Sequence, residues 1–265
     1  MPELPEAERA RALIADHALG RRIVAVEDGD SYVSRPHAPG EIAAALVGRR
    51  LTSANRIGKM LWVETDSEGP DLGLHLGMAG RIAIDEPPHE RWDRFALSFD
   101  DGGRLALRDR RRLGRAVLAP DLARLGPDAA VATRAEFRAR VGRGRGAIKA
   151  RLMDQGVIAG VGNLLADEIL WQAKVSPLAR VDSLSSAQVN RLYRALKSVL
   201  ASAIANGGAH TGEMVAARHP GGICPRDGAP MVHGTVGGRS TWWCSREQAL
   251  RPGQATHRGV GVLRG

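Results

Sequence analysis

The chain has 265 residues, a length that allows one large domain or two modest ones. Hydrophobic residues make up 43% of the sequence and charged residues 25%, which supplies enough apolar side chains for a core and excludes an intrinsically disordered chain. The 38 Lys and Arg exceed the 29 Asp and Glu, and the resulting formal charge of +9 favours a polyanionic partner.

Three other classes of protein are excluded by the sequence. No apolar run approaches the roughly 18 residues of a membrane span. The first twenty residues contain four acidic side chains, which a secretory signal does not tolerate well. The only cysteines are Cys224 and Cys244, too few for a disulfide scaffold. We therefore expect a cytoplasmic protein with no membrane partner.

The first half of the chain is predicted to be rich in β-strands. An amphipathic helix, roughly Glu6 to Ala18, comes first and stops at Gly20. Six apolar or alternating segments separated by Gly, Pro and Asp turns follow it, and their spacing favours an antiparallel sandwich. These segments are Ile23–Val26, Met60–Val63, Leu72–Leu76, Phe95–Phe99, Leu105–Leu107 and Ala116–Leu118.

After about Pro127 the pattern becomes helical. Ser185 with Gln188 forms a possible capping box before the longest segment, and Gly207 follows its end. The predicted helices are Arg134–Val141, Ile148–Gln155, Leu164–Ala173 and Ser186–Asn206. A hairpin is predicted between Pro230–His233 and Ser240–Trp243, and the residues from Leu250 onward resemble a flexible basic tail. We therefore predict three domains, at 1–127, 128–210 and 211–265.

Two arginine-rich clusters are candidate phosphate contacts, because guanidinium groups match the geometry of phosphate oxygens. Glycines alternate with arginines in the second cluster, so backbone amides could also approach an anion there. The alternative is a pair of solvated basic faces. The clusters comprise Arg104, Arg108, Arg110, Arg111, Arg112 and Arg115, and then Arg138, Arg140, Arg143, Arg145, Lys149 and Arg151.

The start of the chain places a potential nucleophile, Pro2, next to an acid, Glu3. Removal of the initiator methionine would leave Pro2 as a secondary amine, and an α-amine is far less basic than lysine. An unprotonated amine can attack an electrophilic carbon and form a Schiff base, while Glu3 could shuttle protons. The alternative is an ordinary frayed terminus.

Five segments in order resemble signatures of the formamidopyrimidine-DNA glycosylase/endonuclease VIII family of bacterial base-excision repair enzymes. Together they span nearly the whole chain, and the helix–two-turn–helix element is the most specific of them. The segments are Met1–Glu6, the strand lysine in Gly58–Leu61, the intercalating loop His75–Gly80, the helix–two-turn–helix element from Gly160–Leu164 to Pro177, and the finger Cys224…Arg239…Cys244.

The resemblance implies four catalytic residues. Mature Pro2 would attack C1′ of the damaged nucleotide, and Glu3 would act as general acid. Lys59 would hold a flanking phosphate during β-elimination, and Arg239 would assist the second, δ-elimination. No cofactor is required for this chemistry.

Eight residues are predicted to bind DNA. The resemblance implies six of them, and Arg143 and Arg145 are predicted from their place in the second arginine cluster. Met78, Arg111 and Leu113 would fill the void left by the flipped nucleotide. Leu113 stands where the family usually has Phe, so discrimination of the opposite base is expected to be looser. The other DNA-binding residues are His75, Arg143, Arg145, Lys149 and the phosphate-binding Asn163.

The finger departs from the family pattern C-x2-C-x16-C-x2-C, which holds one zinc ion. Its four positions read Cys224, Asp227, Cys244 and Glu247, with the family's intervals intact. A zinc site with two carboxylates would be unusual, because thiolates dominate structural sites. We therefore predict no metal ligands. The alternatives are zinc held with help from His219 or His233, and a disulfide between the two cysteines.

The segment between Gly207 and Cys224 is short, whereas relatives that recognise oxidised purines carry a longer capping loop. An open pocket is therefore expected, which favours oxidised pyrimidines, ring-opened bases or abasic sites. Glu168–Gln172 is more typical of endonuclease VIII, and Leu4–Glu6 of the formamidopyrimidine glycosylases, so the subfamily stays open.

The sequence thus predicts an α+β multidomain protein with an N-terminal antiparallel β-sandwich and helix, a helix–two-turn–helix domain and a C-terminal hairpin finger. It would be a bifunctional DNA glycosylase/AP lyase, monomeric, bound to damaged DNA and associated with the bacterial nucleoid. The alternatives are a non-catalytic damaged-DNA-binding protein and a metal-dependent nuclease, although no acidic cluster suits Mg²⁺.

Overall fold

The structure, a computed structural model, describes residues 2–250 and residue 254. These residues form two compact units. The first contains Pro2 and Glu6–Ala123, and the second contains Glu3–Pro5 and the described chain from Arg124 onward. The helical and hairpin segments therefore lie in one unit, and the boundaries at 127 and 210 stay predictions. The predicted basic tail lies almost entirely outside the described residues.

The first unit is the predicted antiparallel sandwich. Two four-stranded sheets, in the orders β1-β6-β7-β5 and β2-β3-β4-β8, share one apolar core with the helix α1. The strands are β1 (Ile23–Glu27), β2 (Leu51–Ile57), β3 (Met60–Thr65), β4 (Leu72–His75), β5 (Arg81–Ile84), β6 (Asp93–Phe99), β7 (Arg104–Arg108) and β8 (Arg115–Leu118). The helices are α1 (Leu4–His17), α2 (Ser31–Ser34) and α3 (Glu41–Leu46).

Two strands and two short helices were missing from the sequence prediction. Both missed strands, β2 and β5, are edge strands of their sheets. Only Leu51 is fully buried in β2, so that strand shows no apolar alternation. The short helix α3 owes its first turn to Asp28, whose carboxylate accepts the N–H groups of Ile42 and Ala43 from outside the helix.

The second unit contains four helices, which are α4 (Arg134–Arg140), α5 (Ile148–Met153), α6 (Asn163–Gln172) and α7 (Ser186–Ala205). The capping box of Ser185 and Gln188 is present, and Gly207 has φ +94° after the end of α7, as predicted. A short 3-10 turn at Val181–Ser183 precedes α7, and two others follow it at Ala209–Thr211 and Val215–Ala217. Apolar faces of all four helices share one core with Leu4.

The hairpin finger pairs β9 (Met231–Val236) with β10 (Arg239–Cys244). Gly237 and Gly238 both have positive φ, which suits a tight two-residue turn between antiparallel strands. Trp242 packs with Trp171 of α6, and Trp243 packs with Leu178, so apolar contacts hold the hairpin. None of the helices within the described chain combines the length and apolar character needed to cross a bilayer.

Candidate active site

Glu3 is held at the N-terminus of α6 by three backbone amides. Its carboxylate accepts the N–H groups of Gly162 at 2.8 Å, Leu164 at 2.8 Å and Leu165 at 3.2 Å. The side chain is buried, with 1% of its residue surface exposed. A helix N-terminus favours negative charge, so α6 stabilises this carboxylate and fixes its position. Because Pro2 is bonded to Glu3, the candidate nucleophile starts from this anchored point.

The glycines of the two-turn motif allow this close approach. A Cβ on Gly162 would lie 2.3 Å from Cδ of Glu3, and one on Gly160 would lie 2.5 Å from Cδ1 of Leu4. Gly160 also has φ +114°, and its carbonyl accepts the N–H of Leu4. These glycines therefore seat the start of the chain, a role beyond the phosphate approach that the resemblance implied.

Asn163 is the first residue of α6 and is half-buried. Its Oδ1 is buried with no hydrogen-bond partner within the described part of the chain. A buried polar atom without a partner is uncommon in proteins. Its predicted role as a phosphate contact remains a prediction.

Lys59 and His75 lie at adjacent ends of paired strands. Lys59 is in the tight turn between β2 and β3 rather than within a strand, and Met60 pairs with His75 across the sheet. Burial and then the nearby Lys59 lower the pKa of His75, so its ring is neutral at pH 7. Nδ1 accepts the N–H of Gly77 at 3.0 Å, which leaves the proton on Nε2 as a donor.

The predicted void-filling side chains come from two loops that touch. Met78 lies between β4 and β5, and Leu113 lies between β7 and β8; each is 40% exposed. A Cβ on Gly77 would lie only 2.4 Å from the carbonyl carbon of Leu113, so a side chain there would separate the loops. Arg111 is exposed beside Leu113. The structure therefore brings these three residues onto one surface of the first unit.

Asp109, which the sequence analysis missed, organises this second loop. It is fully buried, and its carboxylate accepts the N–H groups of Arg111 at 2.8 Å, Leu113 at 2.7 Å and Gly114 at 2.7 Å. The backbone therefore wraps around the acid and presents its side chains outward. The bond from the N–H of Arg111, two positions later, is typical of an Asx turn. An Asp at the start of a polar run was the signal for this turn in the sequence.

The first arginine cluster does not form one free basic face. Arg104 and Arg108 pair with Asp93, each at 2.6 Å. Arg112 is bound at 2.9 and 2.8 Å by both oxygens of Asp30 and stacks on Tyr32. Arg110 and Arg111 are exposed. Most of this cluster therefore stabilises the sandwich.

The second cluster is divided in the same way. Arg143 and Arg145 are exposed, and Arg143 joins Arg138 along an open cleft of about 500 Å³ between α4 and the start of α7. Lys149 was predicted to contact DNA, but its side chain is fully buried and its ammonium group pairs with Asp167 inside the second unit. Arg239 is exposed at the start of β10.

The finger brings three of its four predicted positions together. The thiols of Cys224 and Cys244 and a carboxylate oxygen of Asp227 lie within 4.8 Å of one another. The fourth position, Glu247, is instead paired with Lys174 at 2.5 Å and Arg226 at 2.7 Å. Three potential ligands are therefore close together, while the residue at the fourth position of a tetrahedral zinc site is engaged in ion pairs instead.

Neither histidine that was considered as a substitute ligand joins this group in the described chain. His233 stacks on Trp242 with ring centroids 4.4 Å apart and bonds Ser240, while His219 contacts the carbonyl of Pro220. Cys224 and Cys244 are buried free thiols, so the disulfide alternative is not formed.

Comparisons with known proteins agree with this architecture. Residues 1–116 match the model of the formamidopyrimidine-DNA glycosylase N-terminal domain, and residues 125–214 match that of the formamidopyrimidine-DNA glycosylase H2TH domain. The formamidopyrimidine-DNA glycosylase of Chloroflexus aurantiacus is 35% identical to this chain in an alignment 271 residues long. The alignment covers 92% of this chain and 96% of that protein.

Solved structures of a bacterial relative share the fold. The complex of Lactococcus lactis Fpg with DNA containing an abasic site matches with a TM-score of 0.83 and 26% identity, covering 94% of this chain and 100% of that one. The complex of the same protein with DNA containing FAPY-dG matches with the same TM-score and coverage and 27% identity. The resemblance inferred from five short segments is therefore confirmed, and the chain belongs to the formamidopyrimidine-DNA glycosylase family.

Proposed function

We propose that this chain is a bifunctional DNA glycosylase and AP lyase that removes damaged bases during base-excision repair. Curated relatives carry the glycosylase name, and the solved relatives were captured on damaged DNA. The observation in this chain that carries the proposal is the anchoring of Glu3 by three backbone amides, directly beside Pro2. A protein that only binds DNA has no need of a fixed acid next to a terminal amine.

The reaction begins with the flipping of the damaged nucleotide, which costs a few kcal/mol. Met78, Arg111 and Leu113 share an exposed surface from which they can fill the gap in the duplex. Leu113 can exclude water from the stack but offers no aromatic face, so we expect the enzyme to discriminate less strictly among opposite bases.

Covalent chemistry follows at C1′. The amine of mature Pro2 attacks C1′, the bond from C1′ to the base breaks, and the base leaves with the proton of the amine. Glu3, protonated before this step, gives its proton to O4′ as the C1′–O4′ bond breaks, and a cationic imine (an iminium ion) links Pro2 to C1′. Loss of a C2′ proton then breaks the C3′–O bond and releases a phosphate-ended strand, with Lys59 beside the phosphate. Loss of a C4′ proton breaks the C5′–O bond and releases the second phosphate end, assisted by Arg239.

Borohydride trapping on a duplex with one abasic site tests the proposal. Borohydride reduces the imine to a stable amine, so wild-type protein should form a covalent adduct. Pro2→Gly should lose most base excision. Absence of an adduct in wild type would remove the imine from the mechanism, and wild-type turnover by the variant would remove Pro2 from it. Mass spectrometry of the active protein should also show that the initiator methionine is absent.

The substrate class is proposed to be oxidised pyrimidines, ring-opened bases and abasic sites. The support is the short connection between α7 and the finger, which contains only two 3-10 turns and is drawn onto α6 by a hydrogen bond from the Met214 N–H to Glu168 at 3.0 Å. A panel of defined lesions, each opposite the four bases, tests this. Faster excision of 8-oxoguanine than of every other lesion would contradict it.

The finger is proposed to act without zinc. In place of the metal, Arg226 joins Glu247, the carbonyl of Trp171 and the Trp171 ring, whose centroid lies 3.7 Å away. Elemental analysis should find little zinc. The D227C/E247C variant, which restores four thiols, should bind one equivalent. One equivalent in wild type would contradict the proposal. We further propose that the protein acts as a monomer at the nucleoid in the bacterial cytoplasm.

A further inference from the structure

A cluster of three charged side chains lies inside the second unit. Asp167 of α6 pairs with Lys149 of α5 at 2.7 Å and with Arg218 at 2.8 Å. The side chains of Lys149 and Asp167 are completely buried, and Arg218 is largely so. Asp167 therefore joins two cations that come from separate segments of the chain.

This cluster also binds the backbone of β10 beside Arg239. Nζ of Lys149 donates to Oγ1 of Thr241 at 2.7 Å and to the carbonyl of Ser240 at 3.1 Å. Oγ1 of Thr241 in turn donates to the carbonyl of Arg239 at 2.9 Å. The N–H of Trp242 donates to Asp167 at 3.3 Å. Four consecutive residues of the strand are thus fixed by directional contacts.

Burying three charged side chains costs free energy, because each charge loses its hydration. Burial lowers the pKa of Lys149 and raises that of Asp167, and each charge opposes the shift of the other. Apolar packing of the two finger tryptophans would hold the hairpin with less directional constraint. Buried ionic networks instead specify a single geometry, because a small displacement leaves a charge without its partner.

We propose that Asp167 is a positioning residue that, through Lys149, Arg218 and Thr241, sets the place of β10 and hence of Arg239 for the second elimination. This inference rests on the proposed function. The first elimination, at the C3′–O bond, does not need Arg239. The second, at the C5′–O bond, does. Disturbing the cluster should therefore separate the two steps.

The test is single-turnover cleavage of a duplex with a preformed abasic site. Thr241→Val keeps the side chain's volume and removes the hydroxyl, and Asp167→Asn removes the central charge. Both should leave the rate of β-elimination within about twofold and slow δ-elimination by about ten- to a hundredfold, the scale expected for a small misplacement. The 3′-unsaturated aldehyde should accumulate at the expense of the 3′-phosphate.

Two controls make the result specific. Thr241→Ser retains the hydroxyl and should keep the wild-type ratio of products. Thr235→Val places the same substitution on the exposed face of the neighbouring strand and should also keep it.

An unchanged product ratio in Thr241→Val, or an equal loss of both steps, would overturn the inference. A wild-type protein that stops after β-elimination would overturn it as well and leave the proposed function standing. A wild-type protein that forms no trapped adduct would overturn the proposed function itself.

Discussion

Glu3 and Asp109 are buried acids that both bind backbone amides, yet they serve different purposes. Glu3 receives its three N–H groups from the start of α6 and is the proposed general acid. Asp109 receives its three from its own loop and shapes the surface that is proposed to enter DNA. At the scale of single residues, the two acids bind amides in the same way, and only the position of Glu3 next to Pro2 distinguishes the proposed catalytic acid from the structural one.

Replacement of Glu3 by Gln should slow base excision by about a hundred- to ten-thousandfold, the usual contribution of a positioned acid. Cleavage of a preformed abasic site should suffer less, because that sugar already opens to an aldehyde. Parallel time courses on a damaged base and on an abasic site measure both effects. Equal losses on the two substrates would contradict a role for Glu3 in opening the sugar.

Replacement of Asp109 by Ala should destabilise the first unit by about 1–3 kcal/mol, since three amides lose their acceptor. It should also weaken insertion of Leu113 and Arg111 into the duplex. Fluorescence of 2-aminopurine opposite an abasic site reports that insertion. The exposed Asp100 is a suitable control, and Asp100→Ala should match wild type. Full insertion by Asp109→Ala would show that the loop keeps its shape unaided.

At the scale of elements, the N-terminus of α6 depends on the absence of two side chains. Gly162 has no Cβ to strike Glu3, and Gly160 has none to strike Leu4. Neither glycine lies within α6, so helix propensity does not select them, and Gly160 also has φ +114°, which alanine disfavours. The glycines are therefore explained by what lies against the helix rather than by the helix itself.

Gly162→Ala should displace Glu3 and abolish most base excision while the protein stays folded. Gly146→Ala is the matched control, since its Cβ would meet no atom within 4 Å and should leave activity unchanged. Excision rates and circular dichroism of both variants provide the measurement. Normal excision by Gly162→Ala would mean that the acid tolerates movement away from α6.

The ion pairs between β6 and β7 give the sandwich a dependence on acid. Burial alone would raise the pKa of Asp93, but hydrogen bonds from Arg108, the His89 amide and Arg104 lower it from 3.8 to about 2. Its carboxylate therefore contributes about 2 kcal/mol of stability above pH 4. That contribution should disappear as the pH falls from 4 to 2.

Denaturant titrations of wild type and Asp93→Asn at several pH values test this. The variant should be less stable at pH 7 and should lose less stability between pH 4 and pH 2. Glu90→Gln controls for the loss of a negative charge at an exposed position. Parallel stability curves for wild type and Asp93→Asn would contradict the assignment.

At the scale of the whole molecule, the charge of +9 overstates the cations available to DNA. Arg104, Arg108 and Arg112 are bound to acids, and Lys149 is buried. Composition therefore predicts the sign of the partner's charge, whereas only the fold shows which arginines remain exposed.

Arg111→Ala should reduce the slope of log affinity against log salt by about 0.9, the value for one lost phosphate contact. Arg112→Ala should change the slope much less, because Asp30 already neutralises that charge. Binding to an abasic-site analogue at several salt concentrations measures both slopes. Equal changes of slope in the two variants would show that the ion pair between Arg112 and Asp30 breaks when the protein binds DNA.

The sequence predicted the elements whose signals are local and missed those set by distant contacts. The capping box at Ser185 and the alternating strands were readable from periodicity. The edge strand β2 was not, because only one of its residues is buried. Lys149 was assigned to DNA by its type and position, and only the packing of β10 against α5 shows why it is internal. Two adjacent acids on an otherwise apolar helix, Asp167 and Glu168, were the sequence signal that a buried cation such as Lys149 could pair with this helix.

The ion-paired finger also bears on the conditions under which the protein works. The oxidants that damage DNA bases also attack zinc-bound thiolates, and loss of the metal unfolds a finger that depends on it. Here Glu247 and Arg226 close the base of the hairpin, and the two thiols are buried. A finger that acts without zinc, as proposed above, would have no ion to release, so repair would continue through the same chemical stress that creates its substrates.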